Sequence, residues 1–560
     1  MIENMKNLVK YFSIVLVAGG FFSACETTEL NQLVSPNQLG ADQADPNLVL
    51  NAIQLAYATN QSVFSDRGAE LTRIDYMFGR DYFNNYNSAT MNGVWSRTYS
   101  SGGNGPGAGV GVGMLTNLQA LEGIDANSDT DYSFHIGVTK ALLGHSLMQL
   151  TDYVGQATWS EAGNPTDFPA PLMDDGQSVY NSAFELLDEA QSLLAGSPNT
   201  QGATDLYYGG DSSKWIKFIN TVRLRAYVVT NNKSAFDAII ASGNFIATKD
   251  DDFEFQYGAN ELNPDTRHPD YAADYTSSGA NIYQSNWLME TMLDLGDPRI
   301  RYYFYRQVDA TPGADADPNE ETISCSLVVP PPHYVAGGHT YCSVPNGYWG
   351  RSHGNDEGTP PDNFLRAAVG AYPTAGRFDD DSFGNVGLGE GGGGAGIEPI
   401  ILSSYVDFWR GIMAASAAEK SGHLRTGLVK SIAKVQEFGA KDSGADLSLE
   451  PSPADVTTYI DAQVAAFDAA TGDDQENIFA EQYFITLYGG ATESYNYYRL
   501  TGFPTTVAPN WQVDPGPFPR TFLLPQNEVI TNPNLTQRTD LTTQVFWDTN
   551  PSSPTFPPAN

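Results

Sequence analysis

The stretch 205–227, DLYYGGDSSKWIKFINTVRLRAY, constrains the fold more than any other part of the chain. Gly209 and Gly210 break whatever precedes them. Asp211, Ser212 and Ser213 each offer a side-chain oxygen to the orphan N–H groups of a helix's first turn. Trp215, Phe218, Ile219, Val222, Ala226 and Val229 then recur at helical spacing, so one face is apolar and has to be covered. Lys214, Lys217, Arg223 and Arg225 flank it and read as solvated cations. Other helices are available as cover. The same period runs through 110–124, 132–153, 179–194, 233–242, 400–438, 454–469 and 474–488. Asp45-Pro46 opens a further helix with Pro at its first position and Leu48, Ile53 and Tyr57 on its apolar side. A hydrophobic fraction of 41% suffices for the large core such a set requires.

Two regions break this pattern. Residues 60–106 are aromatic (Tyr76, Phe78, Tyr82, Phe83, Tyr86, Trp95, Tyr99) and follow no clean helical period, so mixed helix and loop is expected. Residues 251–399 are rich in Pro, Gly, Asp and Tyr, with one clear helix at 285–295. The run 387–396 is nearly all glycine. It contains a formal G-x-G-x-x-G, but no strand precedes it, so a flexible loop is expected rather than a phosphate cradle.

A formal net charge of −37 excludes phosphate backbones as partners, and it excludes a basic patch as the means of membrane attachment. The N-terminus supplies another means. Lys6 and Lys10 precede the apolar run 11–22, which is too short to span a bilayer at about 20 residues. Phe22-Ser23-Ala24-Cys25 then resembles a bacterial lipobox, which makes 1–24 a signal peptide, Cys25 the lipidated N-terminus and 25–45 a tether. Glu26 and Glu29 resemble an acidic surface-export signal. Cys325 and Cys342 are the two other cysteines, and in an oxidising compartment they would most simply pair. A metal site with His333 and His339 is the competing reading, without a closely spaced Cys pair to support it.

Tyr208-Gly209-Gly210-Asp211, Lys214-Trp215, Phe218, Asn220 and Leu224-Arg225 together resemble the internal signature of the SusD/RagB outer-membrane lipoproteins of Bacteroidetes. Ile219 stands where that family often has Ala. Further anchors are the Thr151-Asp152-Tyr153 turn, 297–303, 372–379, Arg499, and the run from Arg520 to Phe546-Trp547-Asp548. Those at 297–303 and 372–379 resemble the second SusD-like subfamily. The resemblance implies one all-α-dominated domain over 46–560. Tetratricopeptide-like helix pairs would form the scaffold, and the irregular 251–399 would pack on it. It further implies a binding protein rather than an enzyme. Such a protein would hold an oligo- or polysaccharide outside the outer membrane and pass it to a SusC-like TonB-dependent transporter. RagB-like peptide binding, a surface glycoside hydrolase and a helical adaptor are the alternatives.

No H-E-x-x-H, nucleophile elbow or Walker loop occurs, and no cofactor or metal is expected. Asp125-x-Asn127-x-Asp129 and Asp379-x-Asp381 resemble calcium runs but lack the remaining ligands, so they read as solvated acidic loops. Aromatic faces stack on sugar rings, and loops on a rigid scaffold concentrate binding residues. The expected site is therefore where the aromatic N-terminal segment meets the irregular middle. Trp95 leads, with Arg80, Tyr82 and Tyr99 close in sequence, then Tyr348-Trp349 near Cys342, then Tyr283 and Trp287. Burial in the core is the competing reading for each ring.

Overall fold

Asp211 is the residue that caps the central helix, its carboxylate accepting from the backbone N–H groups of Ser213 and Lys214. Asp205 fixes the turn before it, accepting from Tyr207 N, Gly210 N and the indole N–H of Trp215. The structure, a computed structural model, describes residues 44–560 apart from 80, 100–112, 197, 311–328, 343, 357–364 and 560. Its longer helices are α1 (Pro46–Thr72), α2 (Asn92–Tyr99), α3 (Met114–Ala126), α4 (Ser133–Val154), α5 (Gly176–Gly196), α6 (Ser212–Val229) and α7 (Lys233–Ser242). After the irregular segment begins come α8 (Asn286–Leu295), α9 (Ser403–Ile412), α10 (Ala417–Gln436), α11 (Pro453–Ala469), α12 (Asp473–Thr486) and α13 (Thr492–Thr501). Sequence neighbours pack as pairs, α4 on α5, α6 on α7, α9 on α10 and α11 on α12, while α1 lies against α4 and α13. The architecture is thus helical, with only two-stranded sheets. Among the described residues no helix is long and apolar enough to cross a membrane.

The apolar stripe of α6 is fully covered, Trp215, Phe218, Ile219 and Val222 all being inaccessible. Phe253 packs on Phe218 at 4.0 Å and on Trp215 at 5.5 Å. Phe253 begins β1 (Phe253–Gln256), which pairs antiparallel with β2 (Ile397–Ile401). Gln256 lies opposite Ile397, and Tyr257 N donates to Gly396 O. The irregular segment therefore leaves and rejoins the helices at one place.

Four expectations need correction. Leu48 is 67% exposed, because at about 100° per residue it lies opposite Tyr57 on the helix. Arg223 and Arg225 are buried rather than solvated. The glycine run 387–396 is folded into consecutive turns. Gly392 and Gly394 donate to Ala375 O, and a Cβ on Gly391 would meet the backbone of Gly376 at 2.4 Å. Its glycines serve close approach. Asp379 and Asp381 are not free acids either, since both pair with Arg306.

Candidate functional site

Most of the polar residues singled out by signature lie inside the molecule. Asp152 on α4 is fully buried and receives Arg225 of α6, the Tyr180 hydroxyl at 2.6 Å and the Trp547 indole N–H at 2.8 Å. Arg225 also donates to Glu493 at 2.7 Å. Arg499 donates to the Asp152 carbonyl at 2.8 Å and to Asn496 at 2.7 Å, and Arg520 forks onto Asp548. Arg225 thus pairs with Asp152 and Glu493, and Arg520 with Asp548, while Arg499 ties backbone carbonyls together. A second knot joins Asp297 and Arg299, both inaccessible, with Tyr459 and Gln482. These residues hold helices together and face no solvent.

The concave surface lies elsewhere. Ser285 caps α8, accepting from Leu288 N, and its own hydroxyl donates to Arg73 O at 2.6 Å. Leu288, Met289 and Met292 turn inward. Trp287, Glu290, Thr291 and Asp294, at i, i+3, i+4 and i+7, line a cleft of about 330 Å³. Opposite them stand Tyr334, His339 and Thr340 from one loop, Ser352 and His353 from another, and Glu481 and Thr506 from the scaffold. Trp287 is anchored by its indole N–H to Thr506 O at 2.9 Å. Thr340 donates to Glu290, and Thr506 to Glu481 at 2.6 Å. Burial raises both carboxyls above the usual range. It also lowers His339, and lowers His353 well below the ordinary imidazole value, with Arg73 adding to the effect. Both rings are therefore neutral at pH 7. Tyr82 OH accepts from Arg73, which leaves its own proton for His353 Nε2, 3.5 Å away. His353 Nδ1 has no hydrogen-bond partner among the described residues. The cleft offers an aromatic edge, hydroxyls, carboxylate acceptors and neutral imidazoles.

Of the residues expected at the site, Trp287 lines this cleft and Tyr82 supports it from behind. Tyr82 itself is 1% exposed. Trp95 belongs to a helix, not a loop, and is 5% exposed. Its indole N–H donates to Glu528 and its ring packs on Tyr99, which is half-buried. Tyr348 is buried against the Arg306 guanidinium, and Trp349 is inaccessible beside Cys342. Tyr283 is clamped between the guanidinium groups of Arg351 and Arg366, at 4.4 and 3.9 Å. Arg80 lies outside the described residues. Trp287 is itself only 7% exposed, and what sets it apart from these rings is that it lines the cleft. An exposed ring does stand nearby. Phe78, 62% exposed, follows Met77, whose carbonyl accepts from Gly354 N beside His353. Cys342 is disulfide-bonded, while Cys25 and Cys325 lie outside the described residues.

A smaller crevice, about 60 Å³, lies between α1 and the irregular segment. Asp66, Asp75, Asp270 and Glu398 face it, and Asp66, Asp270 and Glu398 interact electrostatically with one another. Burial, with mutual repulsion, holds Glu398 and Asp66 well above the carboxylate range and pushes Asp75 up to about 8. Among the described residues no group of acids or histidines is arranged to hold a metal ion. A wider and more apolar hollow of about 720 Å³ runs past Leu55, Leu206, Phe255 and Tyr257.

A family model described as SusD-like, "starch-binding associating with outer membrane", matches residues 37–321. No curated protein sequence matches the chain. Among solved structures, a SusD/RagB family protein from Bacteroides thetaiotaomicron superposes with a TM-score of 0.60 at 16% identity, covering 88% of this chain and 95% of that one. A structure titled as a chitin-binding protein gives 0.58 at 20% identity over 90% and 100%. A chitin-binding SusD homologue from Flavobacterium johnsoniae gives 0.56 at 17% over 90% and 99%. At these identities the likeness establishes the fold.

Proposed function

This chain belongs to the SusD-like family, and from that premise we propose that it captures a glycan in the cleft beside α8 and delivers it to a SusC-like TonB-dependent transporter. The observation that carries the reading is the cleft itself. One aromatic edge and converging hydroxyl, carboxylate and imidazole groups surround a volume suited to a sugar unit or two. The exposed ring of Phe78 near its wall would extend the track for a longer chain. Two structural relatives titled as chitin-binding make chito-oligosaccharides the first ligands to try. Retardation in affinity gels and calorimetry against soluble glycans test the reading. At least one glycan is expected to bind, with Trp287→Ala weakening it at least tenfold. Binding of peptides alone would sink it, and release of reducing sugar would show an enzyme instead.

The proposal includes a lipid on Cys25, so that the protein stays at the outer membrane, and a bridge from Cys342 to Cys325 that steadies the loop beside the cleft. A loop of roughly 15 residues closed this way gains about 3 kcal/mol in the chain-entropy view. One intact-mass measurement on membrane-extracted protein, without reductant, checks both. A diacylated or triacylated chain starting at Cys25 and lacking two thiol hydrogens is expected. An unlipidated chain or two free thiols would refute the corresponding half.

A further inference from the structure

Charge in the cleft is one-sided. Glu290, Asp294 and Glu481 line it, and among the described residues that line it none is Lys or Arg. The two imidazoles there are neutral, so they offset nothing. Glu290 and Glu481 each receive one hydroxyl proton on Oε1. None of the three acids makes an ion pair among the described residues. Elsewhere the chain pairs its acids readily, as Asp152, Asp297, Asp379 and Asp548 do with arginines. What sets the trio apart from the chain's many unpaired acids is its place around a ligand-sized hollow. His353, only 4% exposed and on the same wall, adds a buried Nδ1 with no partner among the described residues. The surrounding field, from a chain of formal charge −37, has the same sign and is concentrated by the cleft walls.

We propose that the cleft selects glycans bearing protonated amino groups, that is partly or fully deacetylated amino-sugar chains, over neutral chains and against uronic-acid or sulfated ones. This rests on the cleft being the glycan site and adds which chemistry it prefers. An ammonium on the sugar would take the free carboxylate oxygens of Glu290 and Glu481. A uronate would meet three like charges with no cation to relieve it.

The test compares glucosamine tetramer, its fully N-acetylated counterpart and a galacturonate oligomer by calorimetry on the full chain from about pH 6 to about pH 7, because burial raises the Glu290 and Glu481 carboxyls. Affinity for the glucosamine tetramer is expected to exceed that for the acetylated tetramer at least tenfold, to fall with added salt, and to leave the uronate unbound. In the Glu290→Gln/Glu481→Gln variant the ratio is expected to drop below about two, with melting unchanged as a check on folding. A ratio near one in the native chain, with the acetylated tetramer still bound, overturns the preference and leaves the glycan site standing. A preference that survives the double substitution is bulk attraction to an acidic protein and also overturns it. Binding of no carbohydrate at all overturns the glycan site and the preference together.

Discussion

Two interior places hold carboxylates, and they are made neutral by different means. Where α4, α6 and α13 meet, Asp152, Glu493 and Asp548 are paired with Arg225 and Arg520. In the crevice between α1 and the irregular segment, Glu398 is buried and Asp66 and Asp75 half-buried. Their raised affinity for protons takes the place of cations. Arg67, a guanidinium acting on Asp66, is committed to Glu70. Ion pairing holds its charge balance across the whole physiological pH range. Protonation does not, so the two places should respond differently to mutation and to pH.

Removing a cation from the first place should have the largest effect. Arg225→Leu strands Asp152 and Glu493 without their partner, and breaking a buried pair costs about 3–5 kcal/mol. Arg225→Lys should restore little, since one ammonium cannot reproduce a fork that reaches both carboxylates. Chemical denaturation of both variants measures this. A loss below about 1 kcal/mol for the leucine variant would erase the distinction between the two places.

The second place should instead respond to pH. The native state keeps protons on these carboxyls that the unfolded chain releases above about pH 4. Stability should therefore fall as pH rises from about 4, with Asp75 contributing its share up to about 8. Asp75→Asn keeps an acceptor for the Tyr76 N–H and removes its share of the fall. It should leave stability unchanged near pH 4 and raise it by up to about 2 kcal/mol near pH 8, a figure discounted for the half-exposed position. Melting curves across that range decide it, and parallel curves for the two proteins would refute the protonated crevice.

The smallest effect belongs to a residue outside both places. Phe78→Ala should shift stability by no more than about 0.5 kcal/mol, because the ring is 62% exposed. It should weaken a long glycan by about 1 kcal/mol, a low stacking value, and leave a short one unaffected. A destabilised variant would show that Phe78 packs and would remove it from the ligand track.

The helices were legible from local spacing. The cap at Asp211, the stripe from Trp215 to Val229 and Pro46 at a helix start are all relations within a few residues. What spacing could not reveal is distant company. Arg225 looks like a flanking cation until Asp152 and Glu493 arrive from 73 and 268 residues away. Trp95 looks free until Glu528 meets it across 433 residues. Helix α13 escaped notice because its sequence, Thr492 to Thr501, is polar and tyrosine-rich, and is buried nonetheless. One wall of the cleft was visible in principle, as Trp287, Glu290, Thr291 and Asp294 fall on one face of α8. The other walls come from three separate parts of the chain.

The ladder between Phe253–Gln256 and Ile397–Ile401 makes residues 257–396 a cassette with a single doorway. Its two ends stand side by side, so loops within it can change in length without moving the ends, while Asp297 and Arg299 keep it fastened to the helices. Most of the cleft's lining rides in that cassette, while Glu481 and Thr506 stay behind on the scaffold. Exchanging the cassette between related chains would trade one sugar preference for another and leave the Asp152–Arg225 knot untouched, provided the incoming segment keeps Asp297 and Arg299.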